Sequence, residues 1–196
     1  MSHAPEGLFA RRFYGEGADE EGFTLIELLV VLLIIGILLA IAIPTFLSVT
    51  KTANNTAAQA NLQTALTGAD TFYTNNNQSY AGLYGGTGVS TITAIDTGLT
   101  YYTGGATTKS NQISVLTGGN GGWVILASYA PGTKDCWVIV DIKTAVSTAP
   151  ITNMPAADLA TGTYYGVVRN TSATCSASTG LGVLAATWQT TGFPKG

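Results

Sequence analysis

The side chains that usually carry out catalysis are scarce in this chain of 196 residues. His3 is the single histidine, and the two cysteines, Cys136 and Cys175, lie far apart. This set excludes a zinc site built from cysteine and histidine alone and a metalloprotease motif with two histidines. A Ser-His-Asp triad would depend on His3. The glycine clusters match neither common nucleotide-binding pattern and are predicted to be turns. The sequence therefore predicts no catalytic residue, metal site or cofactor, and it favours a protein that is not an enzyme.

Charged residues are few and unevenly distributed. They make up 10% of the chain, against roughly 25% in an average soluble domain. Residues 1–22 contain two arginines and five acidic residues, so this segment carries the whole formal net charge of −3. No basic excess indicates a nucleic-acid surface. The hydrophobic content of 46% excludes a disordered acidic tail.

A long apolar segment follows Gly22. Phe23–Ile43 contains 21 residues and one charged side chain, Glu27. As a helix, a segment of this length would extend about 31 Å, which is the thickness of a bilayer core. Leu28–Ile43 contains no polar side chain, whereas a buried helix of a soluble protein normally has a polar face. Residues 23–43 are therefore predicted to span a membrane.

Two kinds of targeting segment fit this pattern. One is a secretory signal cut near residues 40–42, but the apolar run is longer than the usual about 7–15 residues and Pro44 crowds the cut. The other is a membrane helix that stays attached after a cut between Gly22 and Phe23. Glu27 favours the second, because a carboxylate is unfavourable in an apolar span unless it has a partner, and this cut creates a cationic α-amino group. The alternative for Glu27 is a lone acid that reaches water at the membrane surface.

Residues 22–47 resemble the class III signal of type IV pilins and pseudopilins. The shared features are a glycine, a large apolar residue, the pattern Thr-Leu-x-Glu at 24–27 and a long apolar helix. The resemblance implies that a membrane prepilin peptidase cuts after Gly22 and N-methylates Phe23. The leader departs from the usual basic pattern, because acidic residues occupy 19–21. In this respect it resembles leaders of actinobacterial-type major pilins.

The resemblance also assigns assembly roles to three residues of the apolar segment. It implies that Glu27 faces the N-terminus of a neighbouring subunit during assembly. It further implies that the backbone between Gly36 and Pro44 loosens when subunits pack into a fibre. The alternative for Gly36 and Pro44 is that membrane helices simply tolerate these residue types.

The chain after the apolar segment is predicted to continue the helix and then form a head. Apolar residues recur at three- and four-residue spacing up to Asn75, which predicts an amphipathic helix continuous with the membrane segment through a bend at Pro44. Asn75-Asn76-Asn77 are expected to end it. The positions on the apolar face are Ala58, Leu62, Ala65, Leu66, Ala69, Phe72 and Tyr73.

The head is predicted to contain a small antiparallel β-meander that covers the second half of the helix. Residues 78–110 are expected to form a long loop, and residues 182–189 a last strand or an ordered tail. The fold class is thus α+β, with a long N-terminal α-helix packed on a small antiparallel β-sheet head, as in the type IV pilin fold. The predicted strands are Ile113–Leu116, Trp123–Tyr129, Cys136–Ile142 and Tyr164–Val168.

Three segments follow from this interpretation. Residues 1–22 are a leader that is removed, 23–75 form the N-terminal helix, and 76–196 form the globular β head. In the head, Cys136 and Cys175 are predicted to form a disulfide, because an extracytoplasmic head lies in an oxidising compartment. Closing that loop would stabilise the head by about 4 kcal/mol in the chain-entropy model. Two buried free thiols are the alternative.

Three acidic residues of the head are predicted to lie on a solvated surface, since their spacing does not match a calcium loop. They are Asp135, Asp141 and Asp158. The resemblance to pilins adds that a C-terminal disulfide loop often lies on the outer surface of a pilus.

The predicted function is that of a structural subunit that polymerises into a type IV pilus. The precursor would be a single-pass protein of the inner membrane, and the mature chain would be part of an extracellular fibre. The resemblance implies as partners further copies of the chain in a helical homopolymer, the prepilin peptidase, an assembly ATPase and a platform protein. Adhesion, motility or DNA uptake would be properties of the fibre, and no direct nucleic-acid site is evident. A pseudopilin of a secretion or competence system and a membrane-anchored binding domain are the alternatives.

Overall fold

The computed structural model of the chain describes residues 23–84, 91–152, 154–155, 159–171, 175–181 and 188–195. The chain divides into two compact units, residues 1–43 and 44–196. Helix α1 runs from Leu25 to Asn75 and contributes residues to both units, with Pro44 inside it. The other elements belong to the second unit.

In the second unit, α1 buries one face. Ala58, Leu62, Ala65 and Ala69 are fully buried, and Phe72 is 4% exposed, which confirms the predicted apolar face. The helix ends where the sequence predicts. The backbone N–H of Asn76 still donates to the Phe72 carbonyl, but Asn77 and Gln78 have positive φ values of 52° and 57°. An asparagine tolerates this left-handed conformation better than most residues do, so the run of asparagines stops the helix.

The exposed face of α1 beyond Pro44 is rich in threonine. Seven threonine hydroxyls each donate a hydrogen bond to the carbonyl four residues earlier in the same helix, at distances of 2.8–3.3 Å. Side chains of this kind satisfy their own hydrogen-bonding need within the helix. The donors are Thr50, Thr52, Thr56, Thr64, Thr67, Thr71 and Thr74.

Five strands form one sheet in the order β1-β2-β3-β4-β5. The four strands predicted from the sequence are confirmed with small differences at their ends. β2 to β5 pair antiparallel in sequence order, as a meander does. The strands are β1 Thr100–Thr103, β2 Gln112–Thr117, β3 Trp123–Ala130, β4 Asp135–Ile142 and β5 Gly162–Val168.

The prediction of a long loop over residues 78–110 is wrong in part. This region contains a short helix, α2, at Ile92–Ile95 and the strand β1. β1 pairs with β2 in parallel, so the sheet is not a pure antiparallel meander. A parallel neighbour requires the chain to return to the end of the sheet where the first strand began. Residues 104–111 make this return, and on the way the backbone N–H of Thr107 donates to the Cys175 carbonyl at 2.6 Å.

The sheet has a hydrophobic core on each face, because successive side chains of a strand point to opposite sides. In β3, Val124 and Leu126 lie in the core that includes α1. Ile125 and Ala127 lie in the second core, on the other face. Segments near the C-terminus contribute Ile151, Met154, Cys175 and Ala177 to that second core.

The edge strand β5 is extended by a residue from the C-terminal segment. The backbone of Gln189 exchanges two hydrogen bonds with Tyr165, at 2.8 and 2.9 Å. Of the predicted last strand or tail at 182–189, residues 182–187 lie outside the described residues. The described part is this bridge to β5.

Candidate processing and assembly site

The start of α1 is closed by a reciprocal pair of side chains. The Thr24 backbone N–H and hydroxyl donate to Glu27 Oε2 at 2.8 and 2.7 Å, and the Glu27 backbone N–H donates to Thr24 Oγ1 at 3.3 Å. This arrangement is a capping box, in which the first and fourth residues satisfy donors that the helix itself leaves unpaired. Glu27 therefore has a local structural role in addition to the charge considered above. The Thr-x-x-Glu spacing carried this signal in the sequence.

The first unit exposes an unbroken apolar surface. Every large apolar side chain between Phe23 and Ile43 is at least 45% exposed. Helix α1 is also long and apolar enough to cross a membrane, by length and composition. Apolar surface this continuous is unstable in water, so the segment requires lipid or apolar side chains of another chain around it.

The predicted site residues fall at the two ends and the middle of this segment. Phe23 is 89% exposed and lines a shallow apolar groove with Glu27 and Val31. A side chain at Gly36 would have no neighbouring atom within 4 Å, so the space around Gly36 does not require glycine. Pro44 has no backbone N–H, so it cannot make the usual helical hydrogen bond to the residue four positions earlier. Gly22 lies outside the described residues.

A buried polar cluster joins α1 to the sheet in the second unit. Asp141, on β4, is 1% exposed and accepts hydrogen bonds from the Tyr80 hydroxyl and from Thr163 Oγ1 at 2.7 Å. Lys143 Nζ lies 3.0 Å from Asp141 and 2.8 Å from Asp70 of α1. The Tyr80 hydroxyl also lies 2.9 Å from Asp70. The prediction that Asp141 lies on a solvated surface is wrong, because Lys143 and the more distant Tyr80 and Thr163 compensate its burial.

The cluster perturbs the proton affinities of two of its members. Burial, followed by the hydrogen bond to Asp141, raises the pKa of Tyr80 well above its usual value. Partial burial opposes the charge of Lys143, but its hydrogen bonds to Asp70 and Asp141 outweigh this effect and raise the pKa of the ammonium. Both side chains are therefore held protonated.

A second buried carboxylate also contradicts the predicted solvated surface. Asp135, at the start of β4, is 4% exposed and accepts a hydrogen bond from Arg169 Nη1 at 3.0 Å. Arg169 stacks over the Trp137 ring at 5.2 Å from its centroid and donates to the Lys195 carbonyl at 2.8 Å. These contacts hold the C-terminal segment against the sheet. Asp158, the third acid of the prediction, lies outside the described residues.

A third carboxylate orders the segment before β1. Asp96 accepts hydrogen bonds from the Tyr101 hydroxyl at 2.7 Å and from the Gly98 backbone at 2.8 Å. Burial, followed by the hydrogen bond to Asp96, raises the pKa of Tyr101 well above its usual value.

The predicted disulfide between Cys136 and Cys175 is present, with the two Cα atoms 5.3 Å apart. Cys136 is the second residue of β4, and Cys175 forms an isolated β-bridge with Thr107. The bond therefore attaches the segment after β5 to the face of the sheet opposite α1. Among the residues that the structure describes, no three histidine, cysteine or acidic side chains are grouped in a way that could hold a metal ion.

The comparisons with known proteins agree with the geometry of the N-terminal segment. The family model described as the prokaryotic N-terminal methylation motif matches residues 18–43. The type IV wide pilus major component PilA4 of Thermus thermophilus is 44% identical over 59 residues, which are 30% of this chain and 45% of that protein. The N-terminal part of the chain is therefore similar to that of a type IV pilin. The match spans less than half the length of that pilin.

The motif and the long apolar helix fit a precursor that is anchored in a membrane. The helix packed on a mostly antiparallel sheet is a pilin-like α+β arrangement. No solved structure gave a significant match.

Proposed function

We propose that the mature chain is the structural subunit of a type IV pilus fibre. The observation that carries this proposal is the exposed apolar helix that begins at Leu25, within the segment that matches the N-terminal methylation motif. Such a surface is stable in lipid before assembly and against the same surface of other copies after assembly, because burial of apolar area favours both states. The chain performs no catalysis in this role.

The proposed route begins with processing in the membrane. A prepilin peptidase cuts between Gly22 and Phe23, removes the acidic leader and methylates the new N-terminal amine. The cut leaves a cationic amine at Phe23, one residue before the capping threonine. In the fibre, the carboxylate of Glu27 faces this amine on a neighbouring copy. The assembly ATPase acts through the platform protein, and adhesion, motility or DNA uptake belong to the fibre.

The capping box offers a way to separate the charge of Glu27 from its structural role. In Glu27→Gln, the side-chain amide oxygen can still accept the hydrogen bonds from Thr24, because glutamine also serves at this position of a capping box. The charge, however, is lost. In Thr24→Ala, the cap is lost and the charge is kept. We expect both variants to insert in the membrane and to lose their leader.

The measurement is the amount of each variant in sheared surface fibres compared with the membrane fraction. Thr24→Ala should still form fibres, whereas Glu27→Gln should remain in the membrane fraction. A normal fibre yield from Glu27→Gln would reject the assembly role of the charge. Absence of surface fibres from wild-type cells would instead favour a short periplasmic pseudopilus or a membrane-anchored domain.

A further inference from the structure

Basic side chains of the second unit gather near the start of its helical segment. The turn between β3 and β4 lies against α1 there, since a side chain at Gly132 would come within 2.9 Å of the Lys51 Cα atom. Lys134 follows in this turn and is exposed, as are Lys51 and Lys195. Lys195 is held close by the hydrogen bond from Arg169 to its carbonyl. In the part of the chain that the structure describes, Lys51, Lys134 and Lys195 form no ion pair.

Acidic side chains gather at the opposite end of the same helical segment. Asp70 and Asp141 share the one ammonium of Lys143, so this group has an excess of negative charge. Asp96 is a neighbour, because its Cβ atom would lie 3.9 Å from a side chain at Gly68. Asp70 and Asp96 are partly exposed.

The two groups are separated along the helix. Asn55, which binds Thr133 of the β3–β4 turn at 2.6 Å, precedes Asp70 by 15 residues, or about 22 Å at the rise of an α-helix. Lys109 lies between them, since its neighbour Ser110 binds Asn61 at 2.8 Å. We call Lys51, Lys134 and Lys195 the basic end, and Asp70 and Asp96 the acidic end.

We propose that the basic end of one head binds the acidic end of the head of a second copy. This inference rests on the proposed fibre and specifies one contact within it. Because the two ends of one head carry opposite charge, contact between the basic end of one copy and the acidic end of another is favourable. Contact between two basic ends or two acidic ends is unfavourable. A head-to-tail contact between identical chains does not pair two copies symmetrically, and it generates a helical filament when its rotation does not close into a ring.

The test is zero-length carbodiimide cross-linking of purified fibres, which joins an amine and a carboxylate that are already in contact. A link from Lys134 or Lys195 to Asp70 or Asp96 must join two copies, because the two ends of one copy are about 22 Å apart. Cells moved from light to heavy nitrogen medium assemble fibres that contain both kinds of copy, and a light peptide linked to a heavy peptide in the mass spectrum then shows that the link is between copies. The link from Lys143 to Asp70 within one copy serves as the reagent control.

We expect the links between copies to form at about 0.1 M salt. Their yield should fall at least about threefold at about 1 M salt, because the Debye screening length decreases from about 10 Å to about 3 Å. The double variant Lys134→Glu with Lys195→Glu should lose them, and the matched control Lys109→Glu should keep them.

Fibres in which these lysines link to no carboxylate of the acidic end would overturn the proposal while leaving the proposed fibre intact. The absence of these links could also be accompanied by binding of the chain, through these lysines, to anionic but not to neutral lipid vesicles. In that case the proposal is also overturned, and the basic end is a surface that binds lipid headgroups. Absence of fibres would reject the proposed function and this contact together.

Discussion

Removing the carboxylate of Asp141 should unfold the head at a markedly lower temperature. In Asp141→Leu, Thr163 loses the acceptor that lies 2.7 Å away. Tyr80 and Lys143 each lose one of two carboxylate partners, and both keep Asp70. The leucine would also be placed among polar groups at a position that is 1% exposed.

The size of the effect follows from these contacts. Truncating one partner of a buried ion pair typically costs about 3–5 kcal/mol. The Lys143 side chain is 29% exposed and keeps a second carboxylate, so we expect the lower end, about 3 kcal/mol. For a domain of this size, that loss corresponds to a decrease in Tm of about 6–12 °C. The measurement is thermal unfolding of the full chain in detergent micelles, followed by circular dichroism.

Two further variants test the reasoning behind that estimate. Asp141→Asn keeps the shape and acceptor oxygen, so it should lower Tm less than Asp141→Leu does. Adding Lys143→Met to Asp141→Leu should destabilise by less than the sum of the single changes, because the cationic partner is removed as well. A Tm for Asp141→Leu within about 2 °C of wild type, or strict additivity in the double variant, would refute the role assigned to the cluster.

Three other changes have expected outcomes. Gly22→Val should prevent removal of the leader, because a branched side chain would not fit a site shaped for glycine; a mature chain of normal mass would contradict this. Cys175→Ser should cost about 4 kcal/mol in the chain-entropy model and lower Tm by about 8–16 °C, and an unchanged Tm without reductant would reject the estimate. The raised pKa values of Tyr80, Tyr101 and Lys143 mean that the folded state holds these protons more tightly than the unfolded chain. Their contribution to stability should therefore be complete below about pH 10 and be lost as the pH rises further, as denaturant titrations at pH 8 and pH 11 would measure; equal stability at both would contradict it.

Features with a local signal in the sequence were predicted well. The apolar spacing of α1 and its end at Asn75 follow from neighbouring residues, as do β2 to β5, which are apolar runs bounded by turn residues. The strand β1, which the sequence did not predict, contains only Thr100–Thr103. Its position in the sheet depends on its parallel pairing with β2 and on the path of residues 104–111. Such a short polar and aromatic stretch carries little periodicity of its own.

The burial of Asp141 could not be read from the sequence for a similar reason. Two of its partners, Tyr80 and Thr163, come from the segment after α1 and from β5, and no spacing in the sequence indicates that they meet Asp141. The capping role of Glu27 is different, because the Thr-x-x-Glu pattern was visible.

The threonine-rich face of α1 has a consequence for hydration. Its hydroxyls already donate hydrogen bonds to the helix backbone. Few hydrogen bonds to water would therefore be lost if another surface covered this face. Threonine also has one side-chain torsion of consequence, and immobilising it forfeits less entropy than fixing lysine or glutamate. This face is therefore stable in contact with water, and it can also be dehydrated at low free-energy cost. The same residues suit a chain surrounded by water and a chain packed against other molecules.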